Sequence, residues 1–290
     1  MAIQIDTQAV KLMVNKEGAD HAQLTENPGF SHYWRKEGAE PRDVGAAVLG
    51  EETSFAGHNR LVSDLEAFAA QPLNIAQSLG RISGASLRQN LVRHLPAGVE
   101  PRGDIYFIPG GQQPLIVADG MLIVNAFALE VRGTKLYIGE FHLLSVLAHY
   151  LHRMATGQFS LQIQNLSDMV TKMMYIGAAT LFFTSPTGGP VRAQWDEAEK
   201  ETTENFALLR NALASGRDPG QVETALGLPS PASLAAPYPL ATYMCKVIDG
   251  AFGRGRLVSL LGGGDFVSVY EEARVKYSLS EQYSLRGGSR

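Results

Sequence analysis

Through most of the first hundred residues, apolar positions recur at spacings of three and four, the mark of helices with one buried face. Ala9, Val10, Leu12, Met13 and Val14 form one such stripe, with Asp6 placed to cap it, and Asn27-Pro28-Gly29 breaks the pattern. Further helices are predicted over residues 32–37, 42–50, 59–70 and 74–95, the last ended by Pro96. The run Asp104-Ile-Tyr-Phe-Ile-Pro109 reads as a strand stopped by Pro109-Gly110-Gly111, and two more strands are predicted over residues 115–117 and 120–125. A histidine-bearing helix over residues 139–156 follows, then a Met- and Ala-rich helix over 165–181. Gly and Pro mark a loop at 184–190. A charged helix over 194–214 turns Asp196, Glu197, Glu199, Lys200, Glu201 and Glu204 to solvent. Residues 218–239 read as a Pro-rich loop, residues 241–252, 257–261 and 266–277 as helices, and 287–290 as a disordered tail.

These elements predict a mainly α protein with a small β-sheet, an α+β class. Three regions are expected: helices over residues 1–100, the sheet with two following helices over 101–183, and a helical region over 184–290, packed as one integrated domain. The 290 residues are 45% hydrophobic, enough for a substantial core. A net charge of −4 without a basic block argues against nucleic acid as a partner. A single cysteine, Cys245, excludes an internal disulfide, a zinc ribbon and an iron–sulfur cluster, and its place in an apolar helix predicts burial. No signal peptide is read in Met-Ala-Ile-Gln-Ile-Asp, and no charge-free apolar stretch of about 20 residues predicts a membrane span. A cytoplasmic protein is expected. Gly262-Gly263-Gly264 has neither the preceding strand nor the following Lys-Ser/Thr of a phosphate loop, and no Gly-x-Ser-x-Gly nucleophile elbow is present.

The chemistry-bearing segment is Glu140-Phe-His-Leu-Leu-Ser-Val-Leu-Ala-His-Tyr-Leu-His-Arg-Met-Ala155. A zinc peptidase helix carries His-Glu-x-x-His, two imidazoles one turn apart with a glutamate that activates water. Here His149 is followed by Tyr150, and the position four residues on is Arg153, a permanent cation with no lone pair for a metal. His152 lies only three residues on, about 60° around the helix from His149, so it reaches the same centre only from the flank.

The order of segments resembles a group of zinc-dependent peptidases of the gluzincin type, in which an Ile-Asp phrase leads through a Leu-Pro and strand phrase to the metal helix. A helix bearing Glu-Gly-x-Ala and a Tyr-containing helical region follow. The matching text is Ile5-Asp6, Leu95-Pro96, residues 104–111, Ala148-His149-Tyr150-Leu151-His152-Arg153, Ile176-Gly177-Ala178-Ala179, and Pro237-Tyr238 through Tyr243-Met244. The resemblance implies a zincin-like helical fold with the His-bearing helix packed on a short sheet. It also implies departures: the family helix reads His-Glu-x-His-His, and the third ligand, the glutamate of Glu-Gly-x-Ala, is here Ile176. Two of three ligands and the base are replaced, so no metal and no other cofactor is expected.

If the helices pair as in those peptidases, Arg153 and Ile176 occupy the old metal position. At 100° per residue, His142, His149 and Arg153 fall within about 40° of one another. Arg153 is then placed to hold a carboxylate or enolate, and His149 or Tyr150 to move a proton. His142, His152, Lys172, Ile176, Tyr238 and Tyr243 are the expected substrate-binding neighbours. The leading expectation is a metal-free enzyme acting on a small molecule by proton transfer, cyclisation, elimination or isomerisation. The alternatives are a non-catalytic pseudopeptidase serving as a binding or scaffold module, and a zinc peptidase with unusual ligands drawn from residues such as His142 or Asp168. Arg153 paired with Asp168 in a purely structural helix pair is a further possibility.

Overall fold

The computed structural model describes residues 3–51, 53–55, 57–68, 72–184, 202–226 and 239–286. They form two compact units, residues 1–88 with 102–147 and residues 89–101 with 148–290. The class is the expected one, mainly helical with two small sheets.

In the first unit, β1 (Gln4–Asp6), β2 (Asp104–Ile108), β3 (Leu115–Ala118) and β4 (Met121–Asn125) form one sheet in the order β1-β2-β4-β3. Both β1 and β4 run parallel to β2, and β3 pairs antiparallel with β4. Asp119 and Gly120 both take positive φ, 48° and 77°, as the two-residue turn between β3 and β4 requires. Ile105, Phe107, Ile108, Leu122, Ile123 and Val124 are completely buried. Helices α1 (Gln8–Val14) and α3 (Pro28–Lys36) pack on β2. The approach of α3 depends on Gly29, where a Cβ would sit 2.3 Å from the Cβ of Tyr106.

Several sequence expectations shift here for local reasons. Asp6 lies in β1 and its carboxylate accepts from the Gln8 amide at 2.7 Å, so it precedes α1 without being its N-cap residue, which is Thr7. Asn27-Pro28 starts α3, with the Asn27 carboxamide accepting from the Phe30 amide at 2.9 Å and Pro28 in the first turn. A short α2 (His21–Thr25) with a capping box from Asp20 and Gln23 precedes it. Helix α4 covers Pro41–Leu49 and α5 His58–Phe68. The helix predicted over 74–95 is two, α6 (Pro72–Leu79) and α7 (Gly84–Val92).

A second sheet, not expected, is the antiparallel meander β5 (Leu129–Arg132), β6 (Lys135–Ile138) and β7 (Phe141–His142). Gly133 and Gly139, with φ of 64° and 58°, open its two turns. The His-bearing helix α8 therefore begins at Leu143, and His142 is a strand residue. The arithmetic that set His142 on one helix face with His149 and Arg153 does not apply to it.

Among its described residues the regular elements of the second unit are helical: the C-terminal part of α8 (Leu143–Ala155), α9 (Leu166–Ala179), a π-helical turn (Thr180–Thr184), α10 (Thr202–Ser215), α11 (Pro219–Ala225), α12 (Pro239–Phe252), α13 (Arg254–Leu260) and α14 (Phe266–Lys276). Helix α12 is the hub, packing on α9, α10, α13 and α14. Gly177 in α9 allows its closest approach, since a Cβ there would meet the Ala241 carbonyl carbon at 2.5 Å. Met169, Met173, Met174, Leu240, Met244, Cys245 and Ile248 fill the interface, with Cys245 buried as predicted. Residues 219–225, predicted as loop, form α11 because Asp218 caps Gln221 at 3.0 Å and Pro219 leads the helix. Of the loop expected at 184–190, Thr184 closes the π turn, and the rest, with the acidic start of the charged helix at 194–201, the stretch 227–238 and the tail, falls outside the described residues. Among the described residues, no helix is long and apolar enough to cross a membrane.

Candidate functional site

Every residue from 146 to 153 of α8 is buried, so this part of the helix is covered all round, its polar side chains included. His149, Tyr150, His152 and Arg153 are 1%, 0%, 0% and 2% exposed. Buried polar groups need partners, and those found in the second unit define the site.

His149 faces the turn that extends α9. The Thr180 hydroxyl donates to the Ile176 carbonyl at 2.8 Å, so its only proton is spent, and its oxygen accepts from His149 Nε2 at 3.3 Å. That puts the imidazole proton on Nε2. It leaves Nδ1 a buried lone pair with no hydrogen-bond partner among the described residues. Burial first, then the Arg153 cation and His152, holds the imidazole well below the ordinary histidine range and therefore neutral.

His152 is fixed in the same tautomer, because its Nε2 lies 2.9 Å from the backbone carbonyl of His94, which can only accept. His94 itself stacks on Phe182, ring centroids 4.7 Å apart at 22°, and meets the edge of Phe183 at 5.3 Å. His152 meets the same two rings at 5.5 and 5.6 Å. The Nδ1 atoms of His94 and His152 are likewise buried and unpartnered among the described residues. Burial pushes both imidazoles down to about 4, reinforced at His94 by Arg254 and Arg93 and at His152 by His94. The Arg254 guanidinium lies 4.6 Å from the Phe182 ring centre and pairs with Asp249 at 2.7 Å.

Arg153 sits where α8 ends. Gly157, at φ 79°, closes the helix with amide bonds from Gln158 to the Arg153 carbonyl and from Gly157 to the Met154 carbonyl, the Schellman pattern. The closure returns the Gln158 side chain to Arg153, whose Nε donates to Gln158 Oε1 at 2.9 Å. The guanidinium carbon lies 5.0 Å from the Tyr150 ring centre and 4.7 Å from that of Phe159, two rings nearly parallel at 11°. No carboxylate pairs with Arg153 among the described residues, and burial lowers its pKa to about 10, opposed by Tyr150. Asp168 does not serve it: that carboxylate accepts from the Gln164 and Asn165 amides at the start of α9.

Of the residues named from sequence, His149, Tyr150, His152 and Arg153 thus belong to one buried cluster, and Ile176 joins through its carbonyl. Lys172 is half-buried on α9, one turn before Ile176. Tyr243 instead belongs to an aromatic group, stacked on Tyr283 at 5.5 Å and edge-on to Phe206 at 5.9 Å. His142 lies in the first unit, edge-on to Tyr137 at 5.6 Å, and Tyr238 is outside the described residues. Sequence reasoning missed His94, Gln158, Phe159, Thr180, Phe182, Phe183 and Arg254. Only Gly157 signalled any of them, by marking where α8 must stop. Cavities of the first unit include one of about 290 Å³ beside Asp6, Lys11, Asp104 and Tyr106 and one of about 550 Å³ beside Lys16, Glu51, His58 and Glu66.

The donor set does not fit the zinc that the peptidase resemblance implies. A guanidinium and an Ile side chain stand where the resemblance expects two ligands, and among the described residues no three His, Cys, Asp or Glu side chains are arranged to hold a metal ion. Compared with protein-family models, curated proteins and solved structures, the chain has no significant match.

Proposed function

We propose that the chain is a non-catalytic pseudopeptidase, a binding or scaffold module in which the segment resembling a metal helix has become core. The observation that carries this reading is the closure of Arg153. At 2% exposure, its Nε is used by Gln158 and its flat cation lies against two rings, so it is spent inside the protein. His149 and Tyr150 are as closed, and the imidazole proton is given to Thr180.

A second reading is favoured by one feature. His149 carries an unpartnered Nδ1 lone pair one turn from a cation that no described carboxylate neutralises, the minimum for proton transfer on an anionic small molecule. A panel of small carboxylates and enolisable ketones, read by thermal shift on the wild type and on Arg153→Met, separates the two. The binding-module reading expects no ligand-dependent stabilisation. A ligand at one hundred times its Kd would instead add about 2.7 kcal/mol to the wild type. Such a gain, lost in Arg153→Met, overturns the reading of this segment as closed core, and turnover of the same ligand then supports the enzyme. Elemental analysis of the same sample is expected to find zinc well below one per chain.

A further inference from the structure

We infer that the His94–His152 pair is an acid-sensitive latch, holding the π turn closed when both imidazoles are neutral and releasing it when they are protonated. The inference does not depend on whether the cluster is catalytic. It rests on how the pair is packed: His152 is fully buried, and His94, itself half-buried, turns a buried Nδ1 inward. His152 gives its only proton to the His94 carbonyl, and the two rings together grip Phe182 and Phe183, adjacent residues of the Thr180–Thr184 turn. A π turn is an uncommon helical geometry often found at functional positions, and here its two aromatic side chains are anchored on imidazoles.

A proton added at either Nδ1 becomes a buried donor without an acceptor among the described residues. The charged groups around the pair are mostly cations. His152 is faced by His94 and shares its helix with His149 and Arg153. His94 is faced by Arg254 from α13 and Asp249 from α12, with Arg93 beside it in the chain. Among the described residues, the acid that acts on His94 is Asp249, already engaged by Arg254 at 2.7 Å. Opening hydrates both rings and removes them from these cations.

The sign of the pH dependence follows. Both imidazoles titrate at about 4 when closed and near 6.5 when exposed. The closed state is therefore fully favoured above pH 6.5 and loses stability as pH falls from 6.5 toward 4. Each histidine shifts the opening equilibrium about tenfold per pH unit in that window, so the pair shifts it about a hundredfold.

Hydrogen–deuterium exchange on the full chain at pH 7.5, 6.0 and 5.0, corrected for intrinsic exchange, tests this. Peptides covering residues 180–184 and 89–96 are expected to lose protection at least tenfold between pH 6.0 and 5.0 while α12 stays protected. In the His94→Gln/His152→Gln double variant the carboxamide at position 152 still donates to the residue 94 carbonyl but cannot titrate, and the same peptides are expected to lose their pH dependence. Equal pH dependence in wild type and variant, or a flat wild-type profile, overturns the latch. Should the variant fail to fold, imidazole NMR titration of the wild type decides. Titration of both rings near 6.5 with the turn still protected overturns the latch, and resistance to protonation until the turn opens upholds it.

Discussion

Arg153 and Arg274 are both buried arginines of the second unit, 2% and 7% exposed, yet they are satisfied in opposite ways. Burial pulls on both. At Arg274 it is overcome by Glu271, whose carboxylate receives Nε at 2.8 Å, and by Glu281 at 3.2 Å, so the guanidinium ends above its ordinary value. Glu271 also accepts from the Ser284 hydroxyl and the Leu285 amide, which ties the C-terminal segment to α14. Among the described residues Arg153 has a carboxamide and two aromatic faces in place of an acid, and its pKa falls. The first arrangement is a clamp built on paired charge. The second keeps a cation in an apolar setting with weaker compensation, and such a group can be replaced by an apolar one of similar shape with little loss.

The contrast predicts a graded series of stability changes, each measurable by urea denaturation at pH 7.5. Glu271→Ala takes the closer of two carboxylates from a buried guanidinium, bares the Leu285 amide and should cost about 3–5 kcal/mol; a loss below about 1 kcal/mol would erase the distinction between the two arginines. Thr180→Val removes the acceptor for His149 Nε2–H and should cost about 1–3 kcal/mol, with Thr180→Ser recovering most of it. Arg153→Met should cost less, about 1 kcal/mol, because relief of the buried cation offsets the acceptor left bare on Gln158. Adding Gln158→Leu should recover that loss; a cost as large as that of Glu271→Ala would show that Arg153 is a clamp of the same kind. His142→Ala, in a half-buried strand position of the first unit, should stay within about 0.5 kcal/mol.

Much of the fold is readable because periodicity is local. Strands β2 to β4 and helices α4, α5, α9, α12 and α14 lie within a few residues of their predicted bounds. The β5–β7 meander escapes the sequence reading although Leu129, Val131, Leu136 and Ile138 alternate with polar residues around Gly133-Thr134, a hairpin pattern outweighed by the conspicuous histidines downstream. For the site, the helix arithmetic distinguishes inward from flanking positions, but α8 is covered on every side over residues 146–153. Angle there decides which partner a side chain meets and no longer whether it is buried.

The sequence by itself determined the helix and strand periods, the stop of α8 at Gly157, and the absence of metal donors at positions 153 and 176, because these depend on residue type and near neighbours. The tertiary structure alone decided the protonated nitrogen of His149 and His152, the burial of Arg153 against Gln158 and two aromatic rings, and the grip on Phe182 and Phe183. The His94 carbonyl lies 58 residues before His152, and Thr180 lies 31 after His149. Partners so distant are chosen by packing, which no local pattern encodes.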